Sequence, residues 1–179
     1  MAATSTMVPL GTALPAFSLP ALDGTTISSD DLTGAPLLVA FVCNHCPYVK
    51  HVESGFGQLV GRHPGLQVVA IMTNDLGGYP QDGPAGMADQ AARAGWTFPY
   101  LLDETQEVGR AFGAACTPDF FLYDATGRLA YRGAMDDSSP GNERPVTGEL
   151  LDHAIGLVEA GQPVLEPHRS SMGCSIKWR

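Results

Sequence analysis

The stretch Leu37–Lys50, LLVAFVCNHCPYVK, decides the fold that this sequence predicts. Its first six residues are apolar without interruption, which is typical of a β-strand that is covered on both faces. Pro47 suits the first turn of a helix, and apolar residues recur at helical spacing from Val49 onward, so an α-helix is predicted there. Cys43 and Cys46 therefore stand where a buried strand ends and a helix begins.

Apolar patterns outside this stretch predict an alternating order of strands and helices. The run Leu66–Met72 is a second buried strand, and the helix between the two strands makes them parallel. The Asp23–Gly24 turn signal joins strands 17–19 and 25–27 into an N-terminal β-hairpin. A turn-rich insertion over 74–86 is followed by a helix over 87–94, a strand over 98–102, a helix over 104–112, a hairpin of strands 120–123 and 129–131, and a helix over 146–160. The sequence thus predicts an α/β fold with a central mixed sheet flanked by helices.

Length and composition limit the class of protein. With 179 residues, of which 44% are hydrophobic and 16% charged, a single domain over 1–179 is expected, with a core over about 14–160 and a C-terminal tail over 161–179. A formal net charge of −9 without a basic patch disfavours nucleic acid as a partner. No apolar run approaches the ~20 residues that cross a bilayer, so no membrane association is expected. Without a secretory leader the expected location is cytoplasmic, and the oligomeric state stays open.

The Cys43–Cys46 pair carries the clearest chemical signal. Unpaired N–H groups and the macrodipole at a helix N-terminus favour an anion, so a lowered pKa is expected at Cys43. His45, between the cysteines, adds a donor and, when protonated, a positive charge. A redox pair is the favoured interpretation. Two others stay open: zinc binding, which would need two further cysteine or histidine ligands, and inert packing.

Thr117 and Pro118 open the second hairpin, where a proline lacks the N–H group that a β-ladder needs. A cis Thr117–Pro118 bond would lay the Thr117 backbone against the cysteine pair, where it could hold an extended substrate peptide. An ordinary trans proline in a turn is the alternative. Cys116 is expected at this same edge of the sheet, and Cys174 lies in the tail. Each is either an accessory redox thiol or a residue without a redox role.

Three motifs in order carry a resemblance to a known family. CNHCPYVK at 43–50, CTPDFFL at 116–122 and GCSIKW at 173–178 are similar to an uncharacterised peroxiredoxin-like group of the thioredoxin-fold superfamily. The order of strand, CxxC, crossover, Thr-Pro, hairpin and helix resembles the thioredoxin fold. The N-terminal hairpin and the insertion resemble the peroxiredoxin and thiol-reductase branch of that superfamily.

The resemblance implies a role for each matching residue. Cys43 matches the exposed nucleophile of thioredoxin, Cys46 its buried resolving thiol, and Pro118 its cis-proline, with Thr117 before it. His45 matches the histidine that precedes the second cysteine in protein disulfide isomerases, which implies an easily reduced disulfide. Neither a cofactor nor a metal is implied.

Two departures from the family patterns bear on mechanism. Leu37 stands where thioredoxin has a buried acidic residue, so the usual proton acceptor is missing. The peroxiredoxin pattern PxxxTxxC, ended at Cys46, has Val39 and Cys43 in place of proline and threonine. Peroxide specificity therefore does not follow from the resemblance.

The expected function is that of a thiol-disulfide oxidoreductase in which Cys43 attacks a substrate disulfide and Cys46 resolves the mixed disulfide. The alternatives are a peroxiredoxin-like thiol peroxidase and a non-catalytic metal-binding or interaction module on the same fold. The expected partners are a disulfide or peroxide substrate and a thiol reductant. Asn74, Asp75 and Asp82 in the insertion could approach the site, but the favoured interpretation is that they are turn formers, as polar loop residues usually are.

Overall fold

The computed structural model describes all residues, 1–179, as ten strands and four α-helices. The strands are β1 (Ala2–Thr4), β2 (Ser18–Pro20), β3 (Thr26–Ser28), β4 (Leu37–Phe41), β5 (Gln67–Met72), β6 (Tyr100–Leu102), β7 (Cys116–Thr117), β8 (Asp119–Tyr123), β9 (Leu129–Gly133) and β10 (Met172–Ser175). The helices are α1 (Pro47–Gly61), α2 (Pro84–Ala94), α3 (Glu107–Ala111) and α4 (Glu149–Glu159), with short 3-10 helices at Ser29–Leu32 and Pro80–Asp82.

Five strands form a central mixed sheet in the order β6-β5-β4-β8-β9. Strand β5 runs parallel to β4 and β6, whereas β4 and β9 are antiparallel to β8. Leu38 and Ala40 face one buried layer, which includes α1, α2 and α4, and Leu37 and Val39 face the other, which includes α3. Because β4 is buried on both faces, its sequence is apolar throughout. The predicted α/β fold with a mixed sheet between helices is confirmed, and β2 and β3 form the predicted N-terminal hairpin.

Helix α1 follows the cysteine pair directly, with Pro47 in its first turn. Three glycines lie within the helix without interrupting it. A Cβ atom on Gly57 would lie 2.9 Å from the carbonyl oxygen of Ala94 and 3.1 Å from the Trp96 ring. The missing side chain therefore lets the end of α2 pack closely against α1.

Several predicted helix boundaries are wrong by a few residues. Helix α2 begins at Pro84 rather than Met87, since a proline suits the first turn. Helix α3 covers only Glu107–Ala111, and α4 begins at Glu149, after Gly148 with a φ of 68°. None of the helices has the length and apolar character that crossing a membrane requires.

A second, three-stranded sheet of order β1-β10-β7 lies at the edge of the cysteine site. Sequence patterns do not predict β1 or β10, because strands of three or four small and polar residues lack an apolar alternation. The antiparallel register pairs Cys174 with Thr117 and Ser175 with Cys116. The C-terminal segment is thus held against the residues that precede Pro118.

Candidate active site

Cys43 and Cys46 lie between the end of β4 and the start of α1, and Cys46 is the N-cap residue of that helix. Both cysteines are 0% exposed. The expectation of an exposed Cys43 is therefore wrong. Its sulfur is covered because Thr117 and His45 pack directly on it.

Thr117 contacts both sulfur atoms of the pair. Its Oγ1 lies 3.3 Å from Cys43 Sγ, and its carbonyl oxygen lies 3.1 Å from Cys46 Sγ. The peptide bond between Thr117 and Pro118 is cis. The structure thus brings Thr117, Pro118 and the cysteine pair together at one edge of the sheet.

His45 and Asp82 form a hydrogen-bonded pair beside Cys43. His45 Nδ1 lies 2.6 Å from Asp82 Oδ2 and 3.7 Å from Cys43 Sγ, and the His45 backbone N–H donates to Asp82 Oδ1 at 2.9 Å. Asn74 Nδ2 donates to the same carboxylate at 2.9 Å. The His45 ring also stacks on Tyr79, with centroids 4.9 Å apart. Contacts with Asp82, Cys43 and Tyr79 therefore fix the position of His45.

The interpretation of Asp82 and Asn74 as turn formers is wrong, because both are buried at the site. One signal for Asn74 is present in the sequence. It follows β5, and the carboxyl ends of the parallel strands β4 and β5 meet at the same edge of the sheet. Asp82 offers no such signal, since its contact with His45 spans 37 residues and depends on how the insertion folds.

The pKa values of the two thiols shift in opposite directions. The hydrogen bond from Cys43, together with hydrogen bonds from Cys174 and from the Val49 backbone, lowers the pKa of Cys46 to about 5, although burial opposes this. The hydrogen bond with Cys46, burial and the charge of Asp82 raise the pKa of Cys43 well above its ordinary value. The predicted lowering at Cys43 is wrong, because the interaction with Cys46, burial and the charge of Asp82 outweigh the effect of the helix N-terminus there.

The two remaining cysteines occupy different positions relative to the pair. Cys174, on β10, is half-buried and packs against the core cluster that contains Cys43 and Cys46. Cys116 is fully buried, and its sulfur faces the carbonyl oxygen of Pro118 at 3.6 Å. Burial also raises the pKa of Cys116 beyond the range of an ordinary thiol. Only Cys174 is therefore placed to react with the pair.

Three side chains near the pair could act as metal ligands. Cys43, His45 and Asp82 each offer one ligand atom, and these atoms lie within 4.8 Å of one another. A structural zinc site takes four ligands, and the short contact between His45 and Asp82 is that of a hydrogen-bonded pair. His51 lies apart, with its Nε2 3.0 Å from Ser138 Oγ.

A groove adjoins the pair on the side of Pro118. Its walls include the apolar surfaces of Tyr48, Val52 and Met172, together with the exposed Arg169. Met172 is 52% exposed, which is unusual for a large apolar side chain beside a functional edge. The lining also includes Asp136 and Asp137, so the groove offers apolar contacts and charged groups of both signs on the Pro118 side of the cysteine site.

Known proteins resemble this chain in sequence and in structure. The sequence matches the AhpC/TSA family over residues 10–132. Comparison with the curated proteins finds no significant match. An uncharacterised conserved protein from Geobacillus kaustophilus is 44% identical over 100% of this chain and 97% of its own, with a TM-score of 0.96. A hypothetical protein from Sinorhizobium meliloti 1021 is 40% identical over 98% of both chains, with a TM-score of 0.95.

More distant structures share the fold. A thiol:disulfide interchange protein of the thioredoxin family from Chlorobium tepidum is 21% identical over 84% of this chain and 98% of its own, with a TM-score of 0.66. This similarity confirms the predicted thioredoxin-like fold. The family match covers more than half of the sequence and confirms the peroxiredoxin-like resemblance. The chain belongs to the AhpC/TSA family.

Proposed function

We propose that this protein is a thiol-disulfide oxidoreductase that exchanges two electrons with a substrate disulfide through Cys43 and Cys46. The observation that carries the proposal is the contact of both sulfurs with Thr117, whose Oγ1 lies 3.3 Å from Cys43 Sγ and whose carbonyl oxygen lies 3.1 Å from Cys46 Sγ. A thiolate is the reactive form of cysteine, and the lowered pKa of Cys46 favours one negative charge on the pair at neutral pH. Membership of the AhpC/TSA family supports a redox role for the thiols.

Cys43 and Cys46 share one proton, and the pKa values that result belong to the pair rather than to either sulfur alone. When this proton lies on Cys46, Cys43 carries the negative charge that attacks the substrate. Thr117 Oγ1, 3.3 Å from Cys43 Sγ, donates to the thiolate that forms at Cys43. This arrangement needs no carboxylate at position 37, where the chain has leucine.

The Cys43 thiolate then attacks one sulfur of the substrate disulfide. A mixed disulfide forms, and the other substrate sulfur leaves as a thiolate that takes the proton from Cys46. The Cys46 thiolate attacks Cys43 Sγ, so that the Cys43–Cys46 disulfide forms and the second substrate thiolate leaves, taking a proton from solvent. Two electrons thus pass to the substrate, and a thiol reductant returns them in a later step.

The substrate binds in the groove beside Pro118. An extended segment there would contact Tyr48 and Met172. Because Cys43 is fully buried, the attack requires the side chains around it to move. We therefore propose that binding in the groove and exposure of Cys43 are linked.

Reduction of insulin disulfides tests this proposal. Cys43→Ser is expected to abolish turnover, and Cys46→Ser to accumulate a mixed disulfide with the substrate that dithiothreitol releases. Cys116→Ser is the matched control, because it removes a buried thiol that faces the Pro118 carbonyl and not the pair. A Cys43→Ser protein that reduces insulin at the parent rate would show that the assignment is wrong.

A thiol peroxidase is the second candidate, and one observation favours it. Cys46, the residue that aligns with the peroxidatic cysteine of peroxiredoxins, is the thiol with the lowered pKa. Its thiolate would attack a hydroperoxide, giving a sulfenic acid and releasing an alcohol or water. The Cys43 thiol would then attack the sulfenic sulfur, forming the Cys43–Cys46 disulfide and a second water.

A stopped-flow titration with hydrogen peroxide separates the two functions. A peroxidase should consume peroxide far faster than a free thiol does. A variant that carries both Cys43→Ser and Cys174→Ser should accumulate a sulfenic acid at Cys46 that dimedone labels, because neither neighbouring thiol is then left to resolve it. A rate equal to that of free cysteine would eliminate the peroxidase and leave the disulfide reaction.

A further inference from the structure

A third thiol is held next to the proposed pair by the C-terminal strand. Strand β10 runs antiparallel to β7, with Cys174 opposite Thr117, the residue that contacts both sulfurs of the pair. A Cβ atom at Gly173 would lie only 2.0 Å from the Thr117 carbonyl oxygen. Glycine at this position therefore permits the close approach that brings Cys174 to the site.

Cys174 lies beside the pair and is also the most accessible thiol of the three. It packs against the core cluster that contains Cys43 and Cys46, and it is half-buried, whereas those two cysteines are fully buried. Cys116 differs from it, because its sulfur faces the Pro118 carbonyl and its strand partner is Ser175. A dissolved thiol could therefore reach Cys174 in the folded protein more readily than either sulfur of the pair.

We propose that Cys174 is a third redox residue, which takes the oxidised state over from the Cys43–Cys46 disulfide. This inference rests on the proposed function of the pair. The Cys174 thiolate attacks Cys46 Sγ, the bond between Cys43 and Cys46 breaks, and a bond between Cys46 and Cys174 forms. The electron pair leaves on Cys43, which takes up the proton that Cys174 has lost. No further oxidant is needed, because the substrate disulfide has already oxidised the pair.

Oxidation of the pair changes the charges around Cys174 so that its thiol loses a proton more easily, as this step requires. In the reduced protein, burial and then the hydrogen bond and charge of Cys46 raise the pKa of Cys174 to about 11, while Lys177 opposes the shift. Once Cys46 is part of a disulfide, it carries no negative charge and Lys177 remains. Cys174 therefore becomes easier to deprotonate when an oxidised partner is beside it.

The exchange has two consequences for turnover. Cys43 returns to the thiol form while the protein is still oxidised. The disulfide moves from two fully buried sulfurs to one that includes the half-buried Cys174. A dissolved thiol reductant can attack that sulfur without entering the buried site.

Peptide mapping after oxidation tests the inference directly. The full-length reduced protein is mixed with cystamine, quenched with acid and N-ethylmaleimide, and digested with trypsin. The tryptic peptide 1–50 contains both Cys43 and Cys46, whereas Cys174 lies in 170–177 and Cys116 in 111–128. The expected product is a species in which peptides 1–50 and 170–177 are linked by a disulfide.

Three variants identify the sulfurs in that link. Cys43→Ser should sharply lower the yield of the linked species, because the exchange starts from the Cys43–Cys46 disulfide. Cys46→Ser should remove it, and Cys116→Ser should leave it unchanged. A link that survives Cys46→Ser would overturn the proposed step.

The failure of this inference can be distinguished from failure of the proposed function. A disulfide confined to peptide 1–50, with Cys174 fully modified by N-ethylmaleimide, would overturn the role of Cys174 and support the pair. Absence of both disulfides after oxidation would overturn the pair as well. Variants that fail to fold do not affect these readings, since both are made on the unaltered protein.

Discussion

The N-terminus of helix α1 and two neighbouring thiols favour the thiolate form of Cys46. Hydrogen bonds from Cys43, Cys174 and the Val49 backbone all favour its thiolate. The sulfur is buried, so these hydrogen bonds are not weakened by exchange with water. A buried thiolate with a lowered pKa makes the stability of the reduced protein depend on pH.

We expect the stability of the reduced protein to rise as the pH increases from about 5 towards 9. The pKa of Cys46 falls from its ordinary value of 9.0 to about 5 on folding. Between these values the unfolded chain binds more protons than the folded one, so the free energy of unfolding rises with pH, and this gain is lost as the pH falls through the folded pKa. Urea unfolding midpoints at a series of pH values, with a reductant present, measure this. Cys46→Ser should show a flatter dependence, and equal slopes would contradict the assignment of the thiolate.

Asp82 acts on Cys43 through its charge, and its removal should make Cys43 more reactive. The carboxylate is one of the influences that raise the pKa of Cys43, after the hydrogen bond with Cys46 and burial. Asp82→Asn should therefore speed alkylation of Cys43 by iodoacetamide at pH 8. Asp75→Asn is the control, because it removes a carboxylate of the same insertion that is not among the causes of the Cys43 pKa shift. Labelling is read by fragmentation of the peptide that contains both cysteines, and equal rates for the two variants would refute the effect.

Among the elements, those with strong apolar patterns can be predicted from the sequence. Strand β4, helix α1 and strand β5 are predictable because burial on both faces or on one helical face leaves a regular pattern. The position of Thr117 and Pro118 beside the cysteine pair can be predicted from this strand–helix–strand unit together with the family resemblance.

The elements that complete the site cannot be predicted in this way. Strands β1 and β10 have three and four residues, and their pairing joins opposite ends of the chain. Such contacts depend on tertiary packing and leave no local pattern. The predicted exposure and pKa of Cys43 are wrong for a related reason, since the pKa depends on Asp82 and on the residue that caps α1, and the burial depends on Thr117 and His45.

Adding one methyl group in strand β10 should destabilise the protein, whereas adding one in helix α4 should stabilise it. Gly173→Ala would place a Cβ atom 2.0 Å from the Thr117 carbonyl oxygen, and overpacking of this kind costs roughly 1–3 kcal/mol. A Cβ atom on Gly156, in α4, would meet no other atom within 4 Å, so Gly156→Ala should stabilise the fold by about 0.5–1 kcal/mol. Thermal unfolding of both variants measures these effects. A neutral Gly173→Ala variant would show that β10 is not held as closely as the structure indicates.

At the scale of the whole molecule, net charge affects which substrates approach. The chain has 19 acidic and 10 basic residues, and its formal net charge is −9. The field of such a molecule attracts cations and repels anions over distances comparable with the Debye length, ~10 Å at 0.1 M salt. Asp82 adds a negative charge beside Cys43, although Arg169 places a positive charge in the groove.

We therefore expect the charge of a small disulfide to determine how its reaction rate depends on salt. Cystamine is a dication, and its second-order rate constant with the reduced protein should fall as salt screens the attraction. Dithiobis(nitrobenzoate) is a dianion, and its rate constant should rise under the same conditions. Bis(hydroxyethyl) disulfide carries no charge and serves as the control for effects of salt on the thiols themselves. Each rate constant is divided by that of the neutral reagent at the same salt concentration. Only the change of this ratio with ionic strength is compared, so differences in intrinsic reactivity among the three disulfides do not affect the result. If the cationic and anionic reagents followed the neutral one, electrostatic attraction and repulsion by the protein would not govern their approach.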